Sequence, residues 1–159
     1  MSIPKRIESY LAEKHVPYSH GTHRLAYSSQ EVAAAQHVPG RTLAKSVILR
    51  ADEQFIMVVL PATRRVDLEL LRGQLPFEKV ELADEWEFAR MFPDCEVGAM
   101  APLGNLYGIP TYVDETLAKQ DEIVFNAGTH VDTIRMRFED FNSLVKPTVI
   151  HAATQTVGH

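Results

Sequence analysis

Apolar positions recur along this chain at two spacings. Ile7, Tyr10 and Leu11, followed by Lys14, keep the three-and-four spacing of an amphipathic helix, with Ser2 placed to cap it, Pro4 tolerated in its first turn and Pro17 to stop it. Tyr18–Leu25 carries His20 and His23 and reads as a short strand plus loop. Ser28-x-x-Glu31 is a capping-box pattern ahead of Val32, Ala33, Ala34 and Ala35, a helix closed by Pro39-Gly40.

The signal then changes to strands. Val47, Ile48 and Leu49 form an apolar run with Lys45 and Ser46 at its mouth, Asp52-Glu53 makes a turn, and QFIMVVL (Gln54–Leu60) is nearly all apolar, as a central strand of a hairpin would be. Asp67 can cap a helix through Leu68, Leu70 and Leu71 that Gly73 ends. Phe77–Leu82 alternates as a half-buried strand, and Asp84-x-x-Glu87 opens a short helix containing Trp86, Phe88 and Met91. VGAMAPLGNLY (Val97–Tyr107) is a loop of small residues, and such a loop exists where something approaches its backbone closely. Strands are expected at Ile109–Val113, Glu122–Asn126 and Val131–Arg137, with a turn or short helix over Asp114–Lys119 and a Gly128-Thr129-His130 turn. Phe138, Phe141, Leu144 and Val145 mark a last helix. This order lacks strict βαβ alternation, so it predicts an α+β fold with a mixed, largely antiparallel sheet and flanking helices. One domain over residues 1–147 is expected, with 148–159 a frayed tail.

Composition narrows the function. The 159 residues are 45% hydrophobic and 23% charged, ordinary for a globular chain, and no apolar run approaches a membrane span. A polar N-terminus and a single cysteine, Cys95, point to a reducing, cytoplasmic setting. A formal charge of −5 argues against broad nucleic-acid binding, so any such partner must be held locally.

The chain lacks a Walker loop and a dinucleotide fingerprint. His15, His20 and His23 have no cysteine or carboxylate at ligand spacing, so neither metal nor cofactor is expected. Cys95 has no helix N-terminus behind it to activate it. A lysine, a small-residue loop and a Gly-Thr-His turn remain. Lys45 could bind an anion and loop N–H groups could stabilise an oxyanion, a site that positions rather than attacks.

At this point the chain resembles the YbaK-like family of prolyl-tRNA synthetase-associated editing domains. The marks are Leu43-Ala44-Lys45-Ser46, the run VVLPATRRVDLELL (Val58–Leu71), the loop Gly98-Ala99-Met100-Ala101-Pro102 followed by Leu103-Gly104, Ile109-Pro110-Thr111-Tyr112-Val113-Asp114, and the turn Asn126-Ala127-Gly128. The resemblance spans about Tyr18 to Leu144. It implies a bent mixed sheet around a small pocket, and hydrolysis of the ester between an amino acid and the terminal adenosine of tRNA. Lys45 would hold the phosphate or ribose end of that adenosine, Gly98 and Ala99 would polarise the ester carbonyl, and Gly98 to Pro102 would wall the aminoacyl pocket. Water would be oriented by the substrate's own ribose hydroxyl. Tyr27, Arg41, Ser46, Met100, Ala101, Pro102 and Gly128 complete the expected substrate contacts, with Arg50, Arg64 and Arg65 as further candidates. Arg64 and Arg65 can equally begin a solvated helix. His130 either matches the histidine of synthetase-embedded editing domains or is an exposed turn residue. Ser46 stands where other branches carry Asn or Thr, and Thr133 near an Asp of the cysteinyl-tRNA-clearing branch, so the amino acid stays open among Ala, Ser, Cys and Thr. The expected partners are aminoacyl-tRNA, with tRNAPro a candidate, and an aminoacyl-tRNA synthetase. A non-catalytic module that binds an aminoacyl or nucleotide ligand is the alternative.

Overall fold

The computed structural model describes residues 2–23 and 38–155. Tyr27 and the helix expected between Ser28 and Pro39 lie, through residue 37, outside the described residues.

Helix α1 (Lys5–Glu13) buries Ile7 and Leu11, but Pro4 rather than Ser2 occupies its cap position and no side chain caps it. The centre of the molecule is the hairpin of β2 (Leu43–Ala51) and β3 (Gln54–Pro61), paired antiparallel from Ala44↔Pro61 to Ala51↔Gln54. Asp52 turns it with φ +54°, and its carboxylate accepts from the Lys79 N–H at 2.8 Å. Strand β3 is buried on both faces along its apolar run, which is why its sequence does not alternate. Its other edge pairs in parallel with β6 (Thr111–Asp114), and β6 in turn with β9 (Thr148–Ile150). On the far side of β2, β7 (Glu122–Asn126), β8 (Asp132–Arg137) and β1 (Ser19–Thr22) follow in that order.

One face of this mixed sheet, with Ala44, Ile48, Met57, Val59, Phe125 and Ile134, packs on Ile7 and Leu11 of α1 and on Phe141, Leu144 and Val145 of α5 (Phe138–Val145). The opposite face, with Leu49, Ile56, Val58 and Leu60, packs on Leu71 of α2 (Leu68–Arg72) and on Ile150 and Ala152. Asp67 caps α2 as its position predicts, accepting from Glu69 N–H at 3.0 Å. The capping box at Asp84 also forms, with the Asp84 N–H donating to Glu87 Oε1 at 3.0 Å at the head of α3 (Glu85–Phe88). Asp114 caps the short helix α4 (Glu115–Ala118). No described helix is long and apolar enough to cross a membrane.

Besides the Ser2 cap, three expectations need correction. The strand expected over Phe77–Leu82 is only β5 (Val80–Leu82). Arg64 and Arg65 do not open a helix; Arg64–Val66 is β4, which pairs antiparallel with β10 (Ala153–Gln155). Residues 148–155 are therefore not a frayed tail. The Gln74 side-chain amide brackets His151, accepting its N–H at 2.9 Å, and the fully buried Asp114 carboxylate accepts the Ala152 N–H at 2.8 Å.

Candidate active site where the central strand changes partner

Strand β2 is paired with β3 along nearly its whole length, but its other edge is shared. The first two residues, Leu43 and Ala44, pair in parallel with Val124 and Phe125 of β7, whereas Leu49–Ala51 pair antiparallel with β5. Between these partners Lys45, Ser46 and Val47 have no neighbouring strand on that side among the described residues. A strand edge that changes partner leaves a crevice. Here it is a cavity of about 110 Å³ lined by Leu43, Ala44, Lys45, Ser46, Gly98, Met100 and Asn126.

Lys45 is half-buried, and removal from water pushes its pKa below the ordinary lysine value. Among the described residues no carboxylate pairs with it. A half-desolvated cation with no counter-charge among the described residues favours an anionic ligand. Ser46 Oγ and Asn126 Oδ1 are also shut off from solvent, with no hydrogen-bond partner among the described residues.

The opposite wall is the Gly98–Pro102 loop, which is stitched to the turn after β7. Gly128 N–H donates to Ala99 C=O at 2.9 Å, and Glu96 N–H donates to Gly128 C=O at 2.8 Å. His130 adds two further ties: its N–H donates to Glu96 Oε1 at 2.6 Å, and its ring Nε2–H donates to the Val97 carbonyl at 2.8 Å. That acceptor can only receive, which fixes the proton on Nε2. Gly98 has φ +85° and Gly128 φ +90°, so both turns need a residue without Cβ. A Cβ at Gly98 would stand 3.6 Å from His130 Cε1, an ordinary contact, so backbone conformation rather than space demands this glycine.

The loop's amides divide by use. Ala99 is fully buried and its N–H donates to Glu96 C=O at 3.0 Å, so this amide is already occupied. The N–H groups of Gly98 and Met100 have no acceptor among the described residues, and both residues line the cavity. These two are the donors such a site could offer a developing oxyanion.

Of the residues singled out from the sequence, Lys45, Ser46, Gly98 and Met100 meet at the cavity. Arg41 is exposed on the short 3-10 turn Gly40–Thr42 leading into β2. Ala101 and Pro102 are buried, Ala101 within the core. Gly128 and His130 hold the loop from behind, and His130 is 7% exposed, unlike a turn residue facing solvent. Arg50 forms an ion pair with Glu87. Asn126 lines the cavity and was singled out only as part of its turn; its signal in the sequence is a polar residue closing the apolar strand EIVFN.

The remaining chemistry lies elsewhere. Cys95 Sγ is 3.3 Å from Tyr107 Oη, and Tyr107 donates to Asp94 at 2.8 Å, which Arg6 Nε also meets at 2.7 Å. Burial pushes both the Cys95 thiol and the Tyr107 hydroxyl up. His20 Nε2 lies 2.8 Å from Asp132 Oδ1. Burial alone would raise the Asp132 carboxyl, but the Thr129 hydroxyl and His20 outweigh it and hold it low. Among the described residues no group of three or more His, Cys, Asp or Glu side chains could hold a metal ion.

Comparison with known proteins places the chain. The profile of the aminoacyl-tRNA editing domain matches residues 23–144. A proline–tRNA ligase of Bacillus cytotoxicus is 26% identical over 89 residues, which is 56% of this chain and 16% of that ligase, so the chain spans a small part of that relative. Among solved structures, a proposed trans-editing enzyme for prolyl-tRNA synthetase superposes with a TM-score of 0.81 at 18% identity, covering 94% of this chain and 96% of that one. A hypothetical protein superposes with a TM-score of 0.84 at 16% identity, covering 94% and 99%. At these identities the superpositions establish the fold. The profile covers most of the chain, including the β2 edge and the loop that form the cavity, and the chain belongs to the aminoacyl-tRNA editing domain family.

Proposed function

We propose that this protein is a trans-acting aminoacyl-tRNA deacylase that hydrolyses the ester of a tRNA mischarged with a small amino acid. The observation that carries this reading is the cavity at the β2 edge, which joins a half-buried lysine to two backbone N–H groups, none of the three having a partner among the described residues. Family membership supports an aminoacyl-tRNA substrate. The likeness to a proline–tRNA ligase supports tRNAPro as its carrier and a synthetase as a partner.

In this reading Lys45 binds the phosphate or ribose end of the terminal adenosine at the mouth, and the aminoacyl group enters the cavity. Water attacks the ester carbonyl carbon, and Gly98 and Met100 N–H groups receive the charge that develops on the carbonyl oxygen. The substrate's free ribose hydroxyl orients the water. The bond from the carbonyl carbon to the ribose oxygen breaks, that oxygen takes a proton, and a free amino acid and an uncharged tRNA end leave. No side-chain nucleophile is required, because positioning and electrostatic stabilisation supply the rate. His130 acts through the loop it holds, as a positioning residue.

The test is release of radiolabelled amino acid from tRNAPro charged with Ala, Ser, Cys, Thr or Pro, under catalytic amounts of protein. Turnover of at least one small aminoacyl ester, with prolyl-tRNA spared, is expected. Retained binding of charged tRNA with every ester surviving would replace this reading with that of a ligand-binding module.

A further inference from the structure

The two unpartnered oxygens of the cavity bear on which amino acid it takes. A buried oxygen with no hydrogen bond is something folding ordinarily avoids, and where it persists beside a cavity a ligand group is the natural partner. Strand alternation separates the two. In the register Leu43↔Val124 and Ala44↔Phe125, Lys45 falls on the same sheet face as Asn126, whereas Ser46 falls with Ala44 and Ile48 on the face that packs Met100. Ser46 Oγ therefore stands on the Met100 side of the cavity, away from the lysine that meets the adenosine end.

We infer that the pocket selects small amino acids bearing a side-chain hydroxyl, with Ser46 Oγ exchanging a hydrogen bond with that hydroxyl and Asn126 Oδ1 accepting from the α-ammonium. This rests on the cavity being the aminoacyl site proposed above. A cavity of about 110 Å³ admits a side chain of few atoms. Within that limit an alanyl group would leave Ser46 Oγ, already shut off from solvent, without a partner, and a cysteinyl thiol would be a weak one. A seryl or threonyl hydroxyl satisfies it. A site that hydrogen-bonds a substrate hydroxyl rejects the analogue lacking it, whereas an apolar pocket separates such pairs poorly.

The experiment compares kcat/KM for seryl-, threonyl-, alanyl- and cysteinyl-tRNAPro in the wild type, Ser46→Ala and Ser46→Thr. The wild type is expected to favour seryl or threonyl over alanyl by about tenfold or more, the worth of one buried hydrogen bond. Ser46→Ala should collapse that ratio towards one through loss on the hydroxyl substrates, and Ser46→Thr should keep it for seryl. Alanyl turnover equal to or above seryl in the wild type, or a ratio unmoved by Ser46→Ala, would overturn the inference. Binding of non-hydrolysable seryl- and alanyl-amide analogues of 3′-aminoadenosine, measured by calorimetry, reads the same ratio without turnover. A protein that cleaves no ester but prefers the seryl analogue would refute the deacylase while sustaining the selectivity; equal binding of the two analogues would refute the selectivity alone.

Discussion

Replacing Gly128 by alanine tests how the cavity-lining Gly98–Pro102 loop is held. Gly128 has φ +90°, and a Cβ there would lie 2.5 Å from Pro4 Cδ and 2.8 Å from Pro4 Cγ. The conformation alone costs an L-residue about 1–2 kcal/mol. The overlap is with a ring rather than a flexible side chain, and forcing a methyl into a filled site costs a further ~1–3 kcal/mol. Urea unfolding should therefore show Gly128→Ala destabilised by roughly 2–5 kcal/mol, with an unchanged m-value. In a Pro4→Ala background the overlap is relieved and only the conformational part should remain, a coupling of about 1 kcal/mol or more. Because Gly128 N–H holds Ala99 C=O, turnover should fall with stability. A cost below about 0.5 kcal/mol, or the same cost with and without the Pro4 ring, would refute the reasoning.

Other consequences follow from the same groups. Ser46→Ala removes an unsatisfied buried oxygen and should stabilise the unliganded protein by about 1 kcal/mol, raising Tm by roughly 2–4 °C in calorimetry; a fall in Tm would contradict it. Burial lowers the Lys45 pKa, so in the window between its folded value and the ordinary lysine value the folded state binds fewer protons than the unfolded one and stability rises with pH. In the same window Lys45 loses its charge, so kcat/KM should fall below the usual lysine range, and a Lys45→Arg variant should move that alkaline limb upward. Cys95 is 9% exposed with its thiol pushed up, so iodoacetamide at neutral pH should label it only as fast as the protein unfolds; prompt labelling of folded protein would show the thiol to be open.

The parts of the fold legible in the sequence were those fixed by neighbours along the chain. The β2–β3 hairpin, the Asp67 cap and the Asp84 box depend on residues a few positions apart, and each forms where its pattern stands. The C-terminal strands depend on distant groups: Thr148–Ile150 on β6, Ala153–Gln155 on β4, and the carboxylate of Asp114 on Ala152. Nothing local to PTVIHAATQ announces those partners. The site divides the same way. Lys45 and the Gly98 loop were legible from their motifs, because glycine and small residues mark a backbone that must come close. Asn126 reaches the cavity through the register of β7 on β2, and His130 is buried where Glu96 and Val97, distant in sequence, take hydrogen bonds from it. The identity of the usable amides was hidden too, since it depends on Ala99 N–H being taken by Glu96.

The most direct measurement of the central claim is single-turnover deacylation of the preferred aminoacyl-tRNA by wild type and Lys45→Ala at equal protein concentration. Loss of the charged contact proposed between Lys45 and the adenosine end should lower kcat/KM about a hundredfold, with circular dichroism unchanged. Deacylation at the wild-type rate without the Lys45 ammonium would contradict the assignment of the β2-edge cavity as the catalytic site.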